Sequence, residues 1–128
     1  MAYFKSYAIA FTTTAGGAAT VTSGENVNGR LFEVVYTYDD AATGADFTIT
    51  GNTTGKALLT ITNAGVSTVT WRPRGVVHTQ AETGAGTAVT FDGTNELYEP
   101  TVLVDEEIKV VVASGGNAKS GTLTFITG

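Results

Sequence analysis

Asp105-Glu106-Glu107-Ile108-Lys109-Val110-Val111-Val112-Ala113-Ser114-Gly115-Gly116-Asn117-Ala118-Lys119-Ser120-Gly121-Thr122-Leu123-Thr124-Phe125-Ile126-Thr127-Gly128 is the stretch that decides the fold. Ile108, Val110 and Val112 fall on one parity, and Lys109, Val111 and Ala113 on the other. After Ser114–Ser120 the alternation resumes from Gly121 to Thr127. Period two sends successive side chains to opposite faces of a pleated strand. The stretch is therefore predicted to be a half-buried antiparallel hairpin, with its glycines and Asn117 supplying the positive φ of the turn.

The same alternation recurs upstream. Leu97–Val104 forms a strand in which Pro100 cannot donate to a ladder and so marks an edge or bulge. Thr87–Phe91 is a short strand, and Pro73–Gly86 is a long, partly exposed loop of the kind that often carries function. Val66–Arg72 turns Val69 and Trp71 to one side, Lys56–Thr62 turns Leu59 and Ile61 inward, and Asp46–Thr50 does so with Phe47 and Ile49. In Arg30–Tyr38, Phe32, Val34, Tyr36 and Tyr38 alternate with Leu31, Glu33, Val35 and Thr37, after a loop over Ser23–Gly29. The N-terminal strand, with Tyr7, Ile9 and Phe11 on one parity, and Ala18–Thr22 form a second hairpin around Thr14-Ala15-Gly16-Gly17.

Eight to ten short strands at roughly eight- to twelve-residue spacing, with no helical pattern, give an all-β antiparallel sandwich, jelly-roll-like, in one domain over 1–128. The composition agrees. The chain has 128 residues, 42% of them hydrophobic and only 15% charged, with 16 glycines to punctuate β-branched runs. The net charge is −5 and the seven Lys and Arg are scattered, which argues against a nucleic-acid partner. No apolar run reaches the ~20 residues of a membrane span, so no membrane partner is expected. Ala8-Ile9-Ala10-Phe11 behind Lys5 is too short, and too interrupted by Ser6 and Thr12, for a secretory leader. Cysteine is absent, which removes disulfide and thiolate chemistry.

No reactive constellation stands out. His78 is the lone histidine, and none of Ser6, Ser23, Ser67, Ser114 and Ser120 sits in a nucleophile elbow. Asp39, Asp40 and Asp46, and separately Asp92, Asn95 and Glu96, lack calcium-loop spacing. The consecutive acids Asp105, Glu106 and Glu107 diverge in an extended chain and read as a solvated turn. Gly115–Ser120 has a lysine before a serine but no glycine next to the lysine and no following helix, so it is no phosphate loop. No enzyme activity, cofactor or metal is expected. The expected interface residues are Tyr3, Phe4 and Tyr7, as an arm on the first strand, with Arg72 and Arg74 flanking Trp71 and His78 in the long loop.

Asn28-Gly29-Arg30-Leu31, Gly44-Ala45-Asp46-Phe47-Thr48-Ile49-Thr50 and, above all, Glu107–Thr122 resemble segments of small virion proteins of tailed bacteriophages, of the head decoration or cement type. The resemblance covers the middle strands and the C-terminal stretch. It implies a non-catalytic jelly-roll-like subunit, made in the cytoplasm of a host bacterium and mounted on the capsid exterior of the virion. Its implied partners are the major capsid protein and further copies of itself, as a dimer or trimer. Two other readings stand beside it. One is a carbohydrate-binding module using Tyr36, Tyr38, Trp71 and Tyr98 as a stacking platform; the other is a tail or fibre subunit. Fold alone does not separate them.

Overall fold

The computed structural model describes residues 4–80, 84 and 86–128. Among these, β1 (Lys5–Thr12), β2 (Ala19–Thr22), β3 (Val27–Tyr38), β4 (Asp46–Gly51), β5 (Ala57–Ile61) and β6 (Val69–Trp71) lead to a short ribbon of β7 (Gly75–Val76) and β8 (Tyr98–Glu99). The chain then runs through β9 (Thr101–Glu106), β10 (Ile108–Ala113) and β11 (Ser120–Thr127). All pairings are antiparallel.

One sheet runs β1-β11-β3-β6, with β9 also on β3, and the other runs β2-β10-β4-β5. With β7–β9 set aside as an insertion, the order is first-eighth-third-sixth facing second-seventh-fourth-fifth, which is the strand order of a jelly roll. The inner faces meet in one core. Tyr36, Phe47 and Phe125 are fully buried with Leu31, Val34, Leu103, Ile108, Val110 and Leu123. Each large apolar side chain taken from water in this way contributes about 1.5–3 kcal/mol.

The predicted C-terminal hairpin is instead an arch. β10 pairs with β4 and β2, and β11 pairs with β1 and β3, so the two strands lie in opposite sheets. Their apolar faces, Ile108, Val110 and Val112 on one and Leu123 and Phe125 on the other, line the same core from its two walls. The N-terminal pair behaves alike: β1 lies in one sheet and β2 in the other.

Local registers correct several details. β3 begins at Val27, inside the predicted Ser23–Gly29 loop. Its pairing with β11 skips Phe32, since Glu33 faces Ile126 and Leu31 faces Thr127. This bulge reverses the parity, so Leu31 and Val34 are both buried while Phe32 is pushed outward. A second shift lets Leu58 into the core beside the expected Leu59 and Ile61, which are partly buried. The predicted strand Thr87–Phe91 is reduced to isolated bridges, His78 to Ala88 and Thr90 to Glu96. Pro100 stands where β8 gives way to β9, as its missing N–H requires. Positive φ in the last arch falls on Ser114, Gly116 and Ala118, not Asn117.

Candidate functional site

The bulge that expels Phe32 also builds the most distinctive surface. The chain has three arginines, and all three reach Phe32 or its neighbour. Arg30 lies over the Phe32 ring at 5.5 Å from its centroid. Arg74 donates through Nη1 to the Phe32 carbonyl at 2.9 Å and to that of Pro73 at 2.7 Å. Arg72 Nε pairs with Glu33 Oε1 at 3.3 Å. Phe4 packs on the other side of Phe32, ring centroids 5.7 Å apart, and is 73% exposed.

Gly128 makes this closeness possible. It exchanges both backbone hydrogen bonds with Arg30, and a Cβ there would lie 2.8 Å from atoms of both phenyl rings. Arg30 also faces Val102 across β9, and Val102 and Val104 are exposed on the same outward face. The result is an apolar strip edged by guanidinium groups, in a protein whose net charge is −5. Arg and aromatic side chains, here Arg30, Arg72, Arg74, Phe4 and Phe32, are enriched at protein interfaces. The Arg72–Glu33 pair is solvent-exposed and adds at most about 1 kcal/mol to stability.

The structure thus gathers three of the expected interface residues, Phe4, Arg72 and Arg74, in one place. Tyr7 is not among them: it is 6% exposed and packs in the core under β1. His78 lies apart, exposed, with Nδ1 2.8 Å from the Val76 carbonyl. It borders a cleft of about 690 Å³ with Lys56, Glu99 and Thr101. Tyr3 lies outside the described residues. Phe32 and Arg30 were missed because alternation assigns Phe32 to the core. Only a gain of one residue in β3, invisible to periodicity, turns it outward.

The acidic turns are occupied with their own backbones. Asp92 accepts the N–H groups of Asn95 and Thr94, which hold its carboxyl below the usual range. Asp46 accepts Asn63 N–H, and Asp40 accepts Ser120 N–H. Glu106 departs from the predicted solvated turn. It is 3% exposed and accepts the N–H groups of Thr54 (3.0 Å) and Thr53 (3.2 Å) and the Thr54 hydroxyl. The Thr54 N–H is the main cause of its lowered pKa, aided by the Thr54 hydroxyl, the Thr53 N–H and the charge of Lys56 against the cost of desolvation. Gly51 leaves the room: a Cβ there would lie 2.5 Å from Glu106 Oε1. This carboxylate organises a turn and faces no open site.

Among the described residues, no group of three or more His, Cys, Asp or Glu side chains is placed to hold a metal, and no helix is long and apolar enough to cross a membrane. Of the aromatics considered for stacking, Tyr36 is inside, Tyr38 and Trp71 are half-buried, and Trp71 lines a cleft of about 550 Å³ with Ile61, Asn63 and Val69. Tyr36 is fully buried, parallel to Trp71 at 5.7 Å and edge-on to Phe47 at 5.0 Å, and Tyr38 closes the group. Tyr98 alone of the four is exposed, at 61%. No family model matches the chain, and neither a curated protein nor a solved structure matches it.

Proposed function

We propose that the chain is a structural virion subunit that decorates or cements a phage head, binding the major capsid protein from outside and bridging neighbouring capsomers. The observation that carries this reading is the convergence of Arg30, Arg72, Arg74, Phe4 and Phe32 on one outward strip. Tyr36 is meanwhile buried in the core, and Trp71, stacked on it, is half-buried. A cement subunit needs a rigid body and an adhesive exterior. The jelly roll supplies the first, and the guanidinium-edged strip supplies the second toward an acidic surface. Repetition over a lattice multiplies weak contacts into tight retention.

The test is imaging of phage particles assembled with this chain, alongside the variant Arg30→Ala/Phe32→Ala/Arg74→Ala, checked for folding by circular dichroism. Density outside the shell in fixed numbers per capsomer, lost with the variant, is the expected result. Absence of the protein from purified particles would overturn the reading. A clear hit on a glycan array, centred on Tyr98, would favour the sugar-binding module instead.

A further inference from the structure

We infer that β1 is a homodimerisation strand: its free edge pairs antiparallel with β1 of a second copy, joining the two β1-β11-β3-β6 sheets into one. The inference rests on the fold and not on the virion reading.

A free edge is a liability that folded proteins blunt with charge, proline, bulges or brevity. The other edges of this sandwich are blunted. β9 follows Pro100, has Lys56 Nζ bonded to the Val102 carbonyl at 2.9 Å and ends in a bulge with Asp105 at φ 49°. β5 carries the shift at Leu58, and β6 has three residues and runs into Arg72 and Pro73. β2 has four residues. β1 has eight, pairs with β11 without a register shift, and has no proline and no charge from Ser6 to Thr12.

The direction of its unpaired groups follows from β11. Gly128 exchanges hydrogen bonds with Arg30 of β3, so the even-numbered residues of β11 face β3 and the odd-numbered ones face β1. In β1 the odd residues therefore bond β11. Ser6, Ala8, Ala10 and Thr12 present N–H and C=O to the open side, where among the described residues no strand pairs with them.

A second copy fits this edge because the strand is self-complementary. With a two-fold axis at Ile9, Ser6 faces the second copy's Thr12 and Ala8 faces the second copy's Ala10. Every free group from Ser6 to Thr12 is then matched. The outward side chains are small, and Tyr7, Ile9 and Phe11 stay on the core side. Ala19 and Val21 of β2, half-buried on the same open side, lie where the second copy continues the sandwich. Such an isologous contact closes on itself and gives a dimer without further growth.

The experiment is light scattering and sedimentation of the purified chain. Wild type should be a dimer with a Kd of about 10 µM or tighter. Ala8→Pro removes only an N–H on the open side, so it should be a folded monomer; Ala8→Lys should behave likewise and serves if the proline variant does not fold. In this cysteine-free chain, Ser6→Cys/Thr12→Cys should oxidise to a covalent dimer while either single variant does not, because opposed Cα atoms lie about 5.5 Å apart, within disulfide reach. A wild type that stays monomeric, a dimer that survives Ala8→Pro or Ala8→Lys with fold intact, or a double-cysteine variant that does not cross-link overturns the inference.

Discussion

Thr13 and Lys119 exchange two hydrogen bonds at one end of the sandwich. The Thr13 N–H donates to the Lys119 carbonyl at 2.7 Å, and the Lys119 N–H returns to Thr13 Oγ1 at 2.8 Å. The same hydroxyl donates to the Gly116 carbonyl at 2.6 Å. Thr13 is thereby a staple between the β1–β2 and β10–β11 arches, each of which passes from one sheet to the other, and it is only 4% exposed. Thr13→Val keeps the shape and strands the Lys119 N–H and the Gly116 carbonyl. The expected loss is about 2 kcal/mol in urea-denaturation stability, the cost of leaving buried polar groups unpaired. A loss below about 0.5 kcal/mol would remove the staple from the account.

Glu106 makes stability depend on acid. Its carboxyl titrates below the ordinary value of 4.5, chiefly through the Thr54 N–H. A depressed folded pKa means that its contribution is complete above the unfolded value and disappears as pH falls through the folded one. Glu106→Gln should therefore melt below wild type at pH 7, and the gap should narrow steadily below about pH 4.5. A gap that stays constant from pH 7 to pH 3, measured by thermal melts, would show that the charge is not what the turn uses. Asp92 shifts in the same direction through the Asn95 and Thr94 N–H groups, so the gap for Asp92→Asn should narrow over the same acid range.

Tyr36 carries a hydroxyl that the fold does not use. Its Oη is buried without a hydrogen-bond partner among the described residues, and burial, then Tyr38, Asp39 and Asp40, push its pKa up. The ring is what the core needs, stacked on Trp71 and edge-on to Phe47. Tyr36→Phe should keep those contacts and raise unfolding stability by about 1 kcal/mol. A loss of stability in denaturant titration would mean that the hydroxyl is satisfied after all.

These contacts also mark how far the sequence reaches. Alternation located most of the strands and the inward sets Ile108, Val110, Val112 and Leu123, Phe125, because a strand with one buried face reads the same wherever it lies. For that reason it could not tell a hairpin from an arch: Ile108–Ala113 and Ser120–Thr127 alternate identically whether they pair side by side or face each other across the core. Gains of one residue, at Phe32 and Leu58, are equally silent, since alternation assumes an unbroken register. Phe4, Arg72 and Arg74 were legible as surface residues from residue type. Their convergence was not, because the bulge at Phe32 and the bare Cα of Gly128 bring them together. Glu106 was misread for a related reason: three adjacent acids diverge in an extended chain, but the middle one turns inward to meet the Thr53–Thr54 N–H groups.

The arch between β10 and β11 offers the sharpest test of backbone conformation. The glycines and Asn117 were the expected bearers of positive φ; Gly116 adopts φ 90°, but it is Ala118, at φ 52°, and not Asn117 that joins it in the left-handed region. The placement follows from what the backbone must reach: the Ala118 N–H donates to the Thr14 carbonyl at 3.3 Å, while the next residue must present Lys119 to Thr13. An alanine in that region costs roughly 1–2 kcal/mol through its Cβ, whereas glycine there costs only its larger chain entropy, about 0.5–1 kcal/mol. Ala118→Gly should therefore stabilise by about 0.5 kcal/mol, and Ala118→Val, β-branched in the same conformation, should destabilise by more than about 1 kcal/mol. Equilibrium unfolding of the three proteins checks the order glycine, alanine, valine. A valine variant as stable as the glycine variant would mean that the arch relaxes out of the left-handed conformation at no cost, and the Thr13–Lys119 exchange would then lose its geometric basis.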